Sequence, residues 1–121
     1  MHNIVDSSEN YLEAIYRIKL NQQCVRSIDV ANFLDLSKAS VSRAMKKLKD
    51  SKLIDINNDA FIELTEEGKK IATSIYEKHM FLRQFFIKIG VDEAVADKDA
   101  CKVEHVISEE SFEKMKKYFN P

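Results

Sequence analysis

One stretch limits what this chain can fold into more than any other. It runs from Arg26 to Asp50, and it reads as two short helices joined by a tight turn. Ser27 offers a cap for the first, where Ile28, Ala31 and Leu34 recur at helical spacing. After Asp35 and Leu36, Ser37 offers a cap for the second, whose Val41, Ala44, Met45 and Leu48 fall at i, i+3, i+4 and i+7. That stripe must face inward. The opposite face then carries Lys38, Ala39, Ser42, Arg43 and Lys46, with Lys47 and Lys49 near its edges. Short polar groups near a helix N-terminus, with cations behind them, suit an element that enters a DNA groove: the former meet base edges and the latter phosphates. An ordinary helical hairpin with a solvated basic side has the same pattern, and the turn lacks the Gly often found in such motifs.

Composition narrows the rest. One Pro and two Gly in 121 residues leave little room for linkers, so the expected fold class is mainly α. The net charge of −1 does not mark a nucleic-acid-binding protein, but residues 37–50 hold five Lys/Arg against one Asp. The basic charge is focused on the second helix of the hairpin, as a groove-reading element requires. No apolar run approaches the ~20 residues of a membrane span, the N-terminus lacks a signal-peptide core, and two Cys do not make a disulfide framework. A cytoplasmic protein with reduced thiols and no membrane partner is expected.

In chain order, Asp6 and Glu9 have capping-box spacing and open a first helix with Tyr11, Leu12, Ile15 and Ile18 inward. Asn10 and Glu13 share a flank of it, and a solvated surface pair would look the same. Cys24, with no nearby His or carboxylate, reads as a small buried residue. Alternation in Ile54/Ile56 and Ile62/Leu64 around Asn57-Asn58-Asp59 predicts a β-hairpin. Two strands must lean on helices. Helix, helix-turn-helix and hairpin is the order of a winged helix. Thr65 caps a long helix over 65–89, with Ile71, Ile75, Leu82, Phe86 and Ile89 on one face and His79 on or beside it. Asp92 opens the next helix and Ser108 the last, whose Phe112, Met115, Tyr118 and Phe119 make a plausible subunit contact. The expected domains are 1–70 and 71–121.

Cys101, Glu104 and His105 stand at i, i+3 and i+4, which places a thiol, a carboxylate and an imidazole on one helical face; Asp97 is one turn earlier. That is a ligand set for Fe(II), Mn(II), Co(II) or Zn(II), although a solvated face also carries such groups. It is incomplete alone, and His79, Glu13 and Asn10 are the candidates to complete it. Catalysis with Glu104 as a base is disfavoured, because no Gly-rich loop or nucleophile constellation accompanies it.

The chain resembles the diphtheria toxin repressor family of metal-dependent transcriptional repressors, which includes the manganese transport regulators. The likeness is carried by Asp6 to Tyr16, by Leu64-Thr-Glu-Glu-Gly68, by Lys78-His79 and by Asp99 to Ser108. It implies a winged helix-turn-helix DNA-binding domain followed by a helical dimerisation domain, and a homodimer on double-stranded operator DNA when loaded with Fe(II) or Mn(II). By position, the implied metal ligands are Asn10, Glu13, His79, Cys101, Glu104 and His105. The implied DNA contacts are Ser37, Ala39, Ser42 and Arg43, with Lys38, Lys46 and Lys47 on phosphates. Asn10 stands where the family usually has Met or Asp, and Arg83 where some iron-type members have a ligating Glu. With Pro121 as its last residue, a short form without the larger members' extra C-terminal domain is expected. The alternative is a winged-helix regulator no longer controlled by metal.

Overall fold

The computed structural model describes residues 7–119, so Asp6, the expected cap of the first helix, lies outside the described residues. The element order is α1 (Ser7–Asn21), α2 (Ser27–Leu34), α3 (Lys38–Asp50), β1 (Ile54–Ile56), β2 (Ile62–Leu64), α4 (Glu66–Lys88), α5 (Glu93–Val103) and α6 (Glu109–Tyr118). These fall into two compact units, Ser7–Thr73 and from Ser74 onward, with α4 contributing its first part to one and the remainder to the other.

The first unit is a winged helix. Leu12, Ile15 and Ile18 of α1 are buried, as are Val41, Met45 and Leu48 of α3, so the 3.6-residue stripes of both helices form the core. Ser37 caps α3 by accepting the Ser40 N–H at 3.1 Å. Two details of α2 depart from the sequence reading. Ser27 is its first helical residue and Arg26 the cap, with Asp29 reaching back to accept the Arg26 N–H at 2.9 Å. The residues α2 buries are Val30 and Ala31, whereas Ile28 is 38% exposed. In an eight-residue helix rich in apolar side chains, periodicity does not decide which face turns inward. Cys24 is exposed rather than buried, because it lies in the connection after α1, where no helical period fixes its direction.

β1 and β2 pair antiparallel with Ile54 opposite Leu64 and Ile56 opposite Ile62. The Asn57 side chain shapes the wing tip, accepting the N–H groups of Asp59 at 2.9 Å and Phe61 at 3.0 Å. Ile62 also donates its N–H to the Val25 carbonyl at 2.7 Å, which ties the wing to the segment before α2.

Thr65 caps α4 by accepting the Gly68 N–H at 3.2 Å, while its own hydroxyl donates to the Lys52 carbonyl at 2.9 Å. In the second unit Ile75, Leu82, Ala96, Ala100 and Phe112 are buried, with the Phe81 and Phe112 rings edge to face at 5.5 Å. Asp92 and Ser108 cap α5 and α6 as expected. Of the apolar residues placed on the long and last helices, Ile89, Tyr118 and Phe119 are exposed in the single chain. Among the described residues no helix is long and apolar enough to cross a membrane.

Candidate metal centre and DNA-facing helix

The second unit gathers four of the six expected metal-ligating residues. His79 comes from α4; Cys101 comes from α5; Glu104 and His105 come from the turn that closes α5. The expectation that Cys101, Glu104 and His105 ride on one helix is corrected in one respect: α5 ends at Val103. Glu104 keeps right-handed helical dihedrals and donates its N–H to the Ala100 carbonyl. The Val103 carbonyl then takes the N–H groups of both Val106 and Ile107, and the helix stops ahead of the Ser108 cap. Cys101 and Glu104 both stand beside His79, while His105 stands beside the other Glu104 oxygen.

His79 and Glu104 are each 1% exposed. The His79 Nδ1 lies 2.9 Å from Glu104 Oε1 and 3.7 Å from Cys101 Sγ. The other Glu104 oxygen lies 3.3 Å from His105 Nε2. Burying a carboxylate is costly unless cationic or hydrogen-bonding groups compensate it, and one Glu104 oxygen stands at hydrogen-bond distance from the His79 ring. One donor atom each from His79, Cys101 and Glu104 lies within 4.8 Å of the others. Ligands around a transition-metal ion, bound at about 2.0–2.3 Å, stand roughly 3–4 Å apart, so this trio fits such an ion with small side-chain adjustments. A thiol, an imidazole and a carboxylate together match Fe(II), Mn(II) or Zn(II) better than they match Mg(II) or Ca(II), which favour all-oxygen cages. In the first unit, Glu13 is buried on α1 with Arg17 3.6 Å away, and Asn10 is half-buried on the same helix.

The outer face of α3 matches its expectation in exposure. Ser37, Lys38, Ala39, Ser42, Arg43, Lys46 and Lys47 are all exposed. The structure adds Ser40, which sequence reasoning passed over. Its hydroxyl accepts from Ser37 at 2.9 Å and lies 3.5 Å from an Arg43 guanidinium nitrogen, so cap and arginine are held in one chain of contacts. Arg43 and Lys47 also line a groove of about 400 Å³ with Ser8, Tyr11 and Ser51, where α1 meets α3. Only the capping spacing from Ser37 to Ser40 hinted at this in the sequence.

Comparison with known proteins bears on both features. Residues 3–60 match the family described as iron dependent repressor, N-terminal DNA binding domain. Residues 65–121 match iron dependent repressor, metal binding and dimerisation domain. An uncharacterized HTH-type transcriptional regulator of Methanocaldococcus jannaschii is 35% identical over 112 residues, covering 91% of this chain and 90% of that one. The iron-dependent repressor IdeR of Mycobacterium tuberculosis is 29% identical over 121 residues, covering 99% of this chain and 53% of its own length. The structure of the manganese regulator SloR superposes with a TM-score of 0.82 at 26% identity, over 93% of this chain and 53% of that one. The chain thus spans about half the length of these named regulators. The two matched families between them span both the winged helix and the helical unit that holds His79, Cys101 and Glu104, and the chain belongs to the iron-dependent repressor family.

Proposed function

We propose that this chain is a metal-activated transcriptional repressor, a cytoplasmic homodimer that holds operator DNA when loaded with Fe(II) or Mn(II). The observation that carries the reading is the buried pairing of His79 with Glu104 beside Cys101. The proposed domains are a DNA-binding half over 1–70 and a metal-binding, dimerising half over 71–121. The proposed metal ligands are Asn10, Glu13, His79, Cys101, Glu104 and His105. When bound, a divalent ion supplies positive charge that neutralises the buried Glu104 carboxylate and holds its donors in one geometry.

The chain's own residues do the remainder. Ser37, Ala39, Ser42 and Arg43 present short polar groups and one fork-shaped donor for base edges, while Lys38, Lys46 and Lys47 neutralise phosphates. In a dimer the two α3 helices would enter major grooves about one helical turn, ~34 Å, apart. The exposed Ile89, Tyr118 and Phe119 are apolar surface that such a dimer would cover. Metal responsiveness arises from a difference in affinity between the DNA-competent arrangement and the others. No catalytic role is assigned to any residue.

The test is a comparison of native chain with Glu104→Gln, measuring operator affinity with and without Mn(II). The native affinity tightens with metal, whereas the variant binds weakly in both conditions. A normal metal response in Glu104→Gln would refute the site.

A further inference from the structure

His79 has two ring nitrogens, and the structure gives them different neighbours. Nδ1 faces Glu104 and Cys101, the candidate donors. Nε2 faces Asp97, with Oδ1 at 3.1 Å. That same Asp97 oxygen lies 3.4 Å from Arg83 Nε, and an Arg83 terminal nitrogen lies 3.0 Å from Glu93 Oε1. His79 and Arg83 are one turn apart on α4, so both reach the α5 carboxylate from the same side. The imidazole ring stands between Asp97 and Cys101, which puts Asp97 on the far side of His79 from the other donors.

From this arrangement we propose that Asp97, held by Arg83, is the positioning residue that makes His79 a metal ligand through Nδ1. The inference rests on the metal-centre reading above. A neutral imidazole offers a lone pair at one nitrogen and a proton at the other. When an ion takes Nδ1, the ring's one proton is at Nε2 and donated to Asp97, and the Nδ1 lone pair is aimed where Cys101 and Glu104 converge. The hydrogen bond fixes the ring's rotation and makes the ligating nitrogen more basic, as carboxylates behind metal-bound histidines do. Arg83 holds the Asp97 side chain, which is 49% exposed and would otherwise turn to solvent. Its guanidinium also puts a fixed positive charge on the Nε2 side, so that side takes no ion of its own. Asp97 is therefore not a ligand, although it stands one turn before Cys101.

The test uses Zn(II) as a diamagnetic probe. Calorimetric titration of the native chain, Asp97→Ala, Asp97→Asn and Arg83→Gln is paired with histidine ¹⁵N NMR of the zinc-loaded proteins. In the native protein, zinc shifts the His79 Nδ1 resonance, and Nε2 keeps an observable proton. Asp97→Ala weakens zinc binding about 10–100-fold and exposes the Nε2 proton to exchange. Asp97→Asn, which keeps an oxygen acceptor, and Arg83→Gln, which keeps the carboxylate, lose less. Native-like affinity and an unchanged Nε2 signal in Asp97→Ala would overturn the proposal. So would zinc on Nε2 of the native chain, or equal losses in Asp97→Ala and Asp97→Asn. A native chain that binds no zinc would instead contradict the metal centre itself, and the assignment of Asp97 with it.

Discussion

Gly68 in the first turn of α4 is where a single methyl group should do most damage. A Cβ built on it would collide with the Leu53 carbonyl oxygen and stand 3.1 Å from the carbonyl carbon and 3.5 Å from the Leu53 Cα. The obstacle is backbone, not the far end of a flexible side chain. The same oxygen accepts the Thr65 N–H at 3.1 Å, and the Thr65 hydroxyl donates to Lys52 next door, so the clash falls on the joint between the wing and α4. Overpacking of this kind costs about 1–3 kcal/mol, and a weakened backbone hydrogen bond adds about 1. Alanine's better helix propensity returns about 1. Gly68→Ala should therefore destabilise by about 2 kcal/mol. In urea unfolding followed by circular dichroism, that lowers the midpoint by roughly 1 M at a typical slope. Gly90→Ala is the contrast, since nothing lies within 4 Å of its added Cβ and the whole penalty comes from a φ of +104°. If Gly68→Ala were as stable as the native chain or more so, helix propensity would have won, and the close approach would be refuted.

Other outcomes follow from the same geometry. Phe112→Ala removes the buried anchor of α6 and its edge-to-face partner Phe81, and should cost about 3–5 kcal/mol; a melting temperature lowered by less than a few degrees would contradict that. The Glu109 carboxyl is held below its usual range by its hydrogen bond to Lys78 at 2.8 Å and then by the Lys78 charge. Its contribution is present above the ordinary value of 4.5 and is lost as pH falls through the lowered one. Below pH 4.5 the native chain should therefore lose melting temperature more steeply than Glu109→Gln, and parallel acid profiles would refute this. Arg43→Ala should weaken specific operator binding by about 1–3 kcal/mol and non-specific binding less. Equal losses on both would argue that Arg43 meets only phosphate.

What could be read from the sequence was what local physics determines. The caps at Ser37, Thr65, Asp92 and Ser108 are each set within three residues, and the α1 and α3 stripes repeat long enough to fix their buried faces. Within α2, Ala31 and Leu34 do turn toward the core, but Ile28 does not and Val30 does, since the two are equally apolar within one short helix. The last helix shows the same limit: hydrophobicity marks Tyr118 and Phe119 as apolar but does not say what covers them. Cys101, Glu104 and His105 were legible because the helical course of α5 continues into the turn just after Val103. The pairings of His79 with Glu104 and with Asp97 span 25 and 18 residues. Contacts at that separation are made by packing of α4 with the α5 region, which no spacing rule encodes. Gly68 was visible only as part of Leu64-Thr-Glu-Glu-Gly68, since its reason lies in Leu53, fifteen positions earlier.

Whether metal governs DNA binding is decided by fluorescence anisotropy on DNA from the region upstream of the protein's own gene. Chelator, Mn(II) and anaerobic Fe(II) would be compared at a single salt concentration, because phosphate contacts make affinity salt-dependent. A metal-activated repressor binds tightly with either ion and weakly with chelator. Binding equally tight under chelator would contradict it and leave a winged-helix DNA-binding protein that metal does not control.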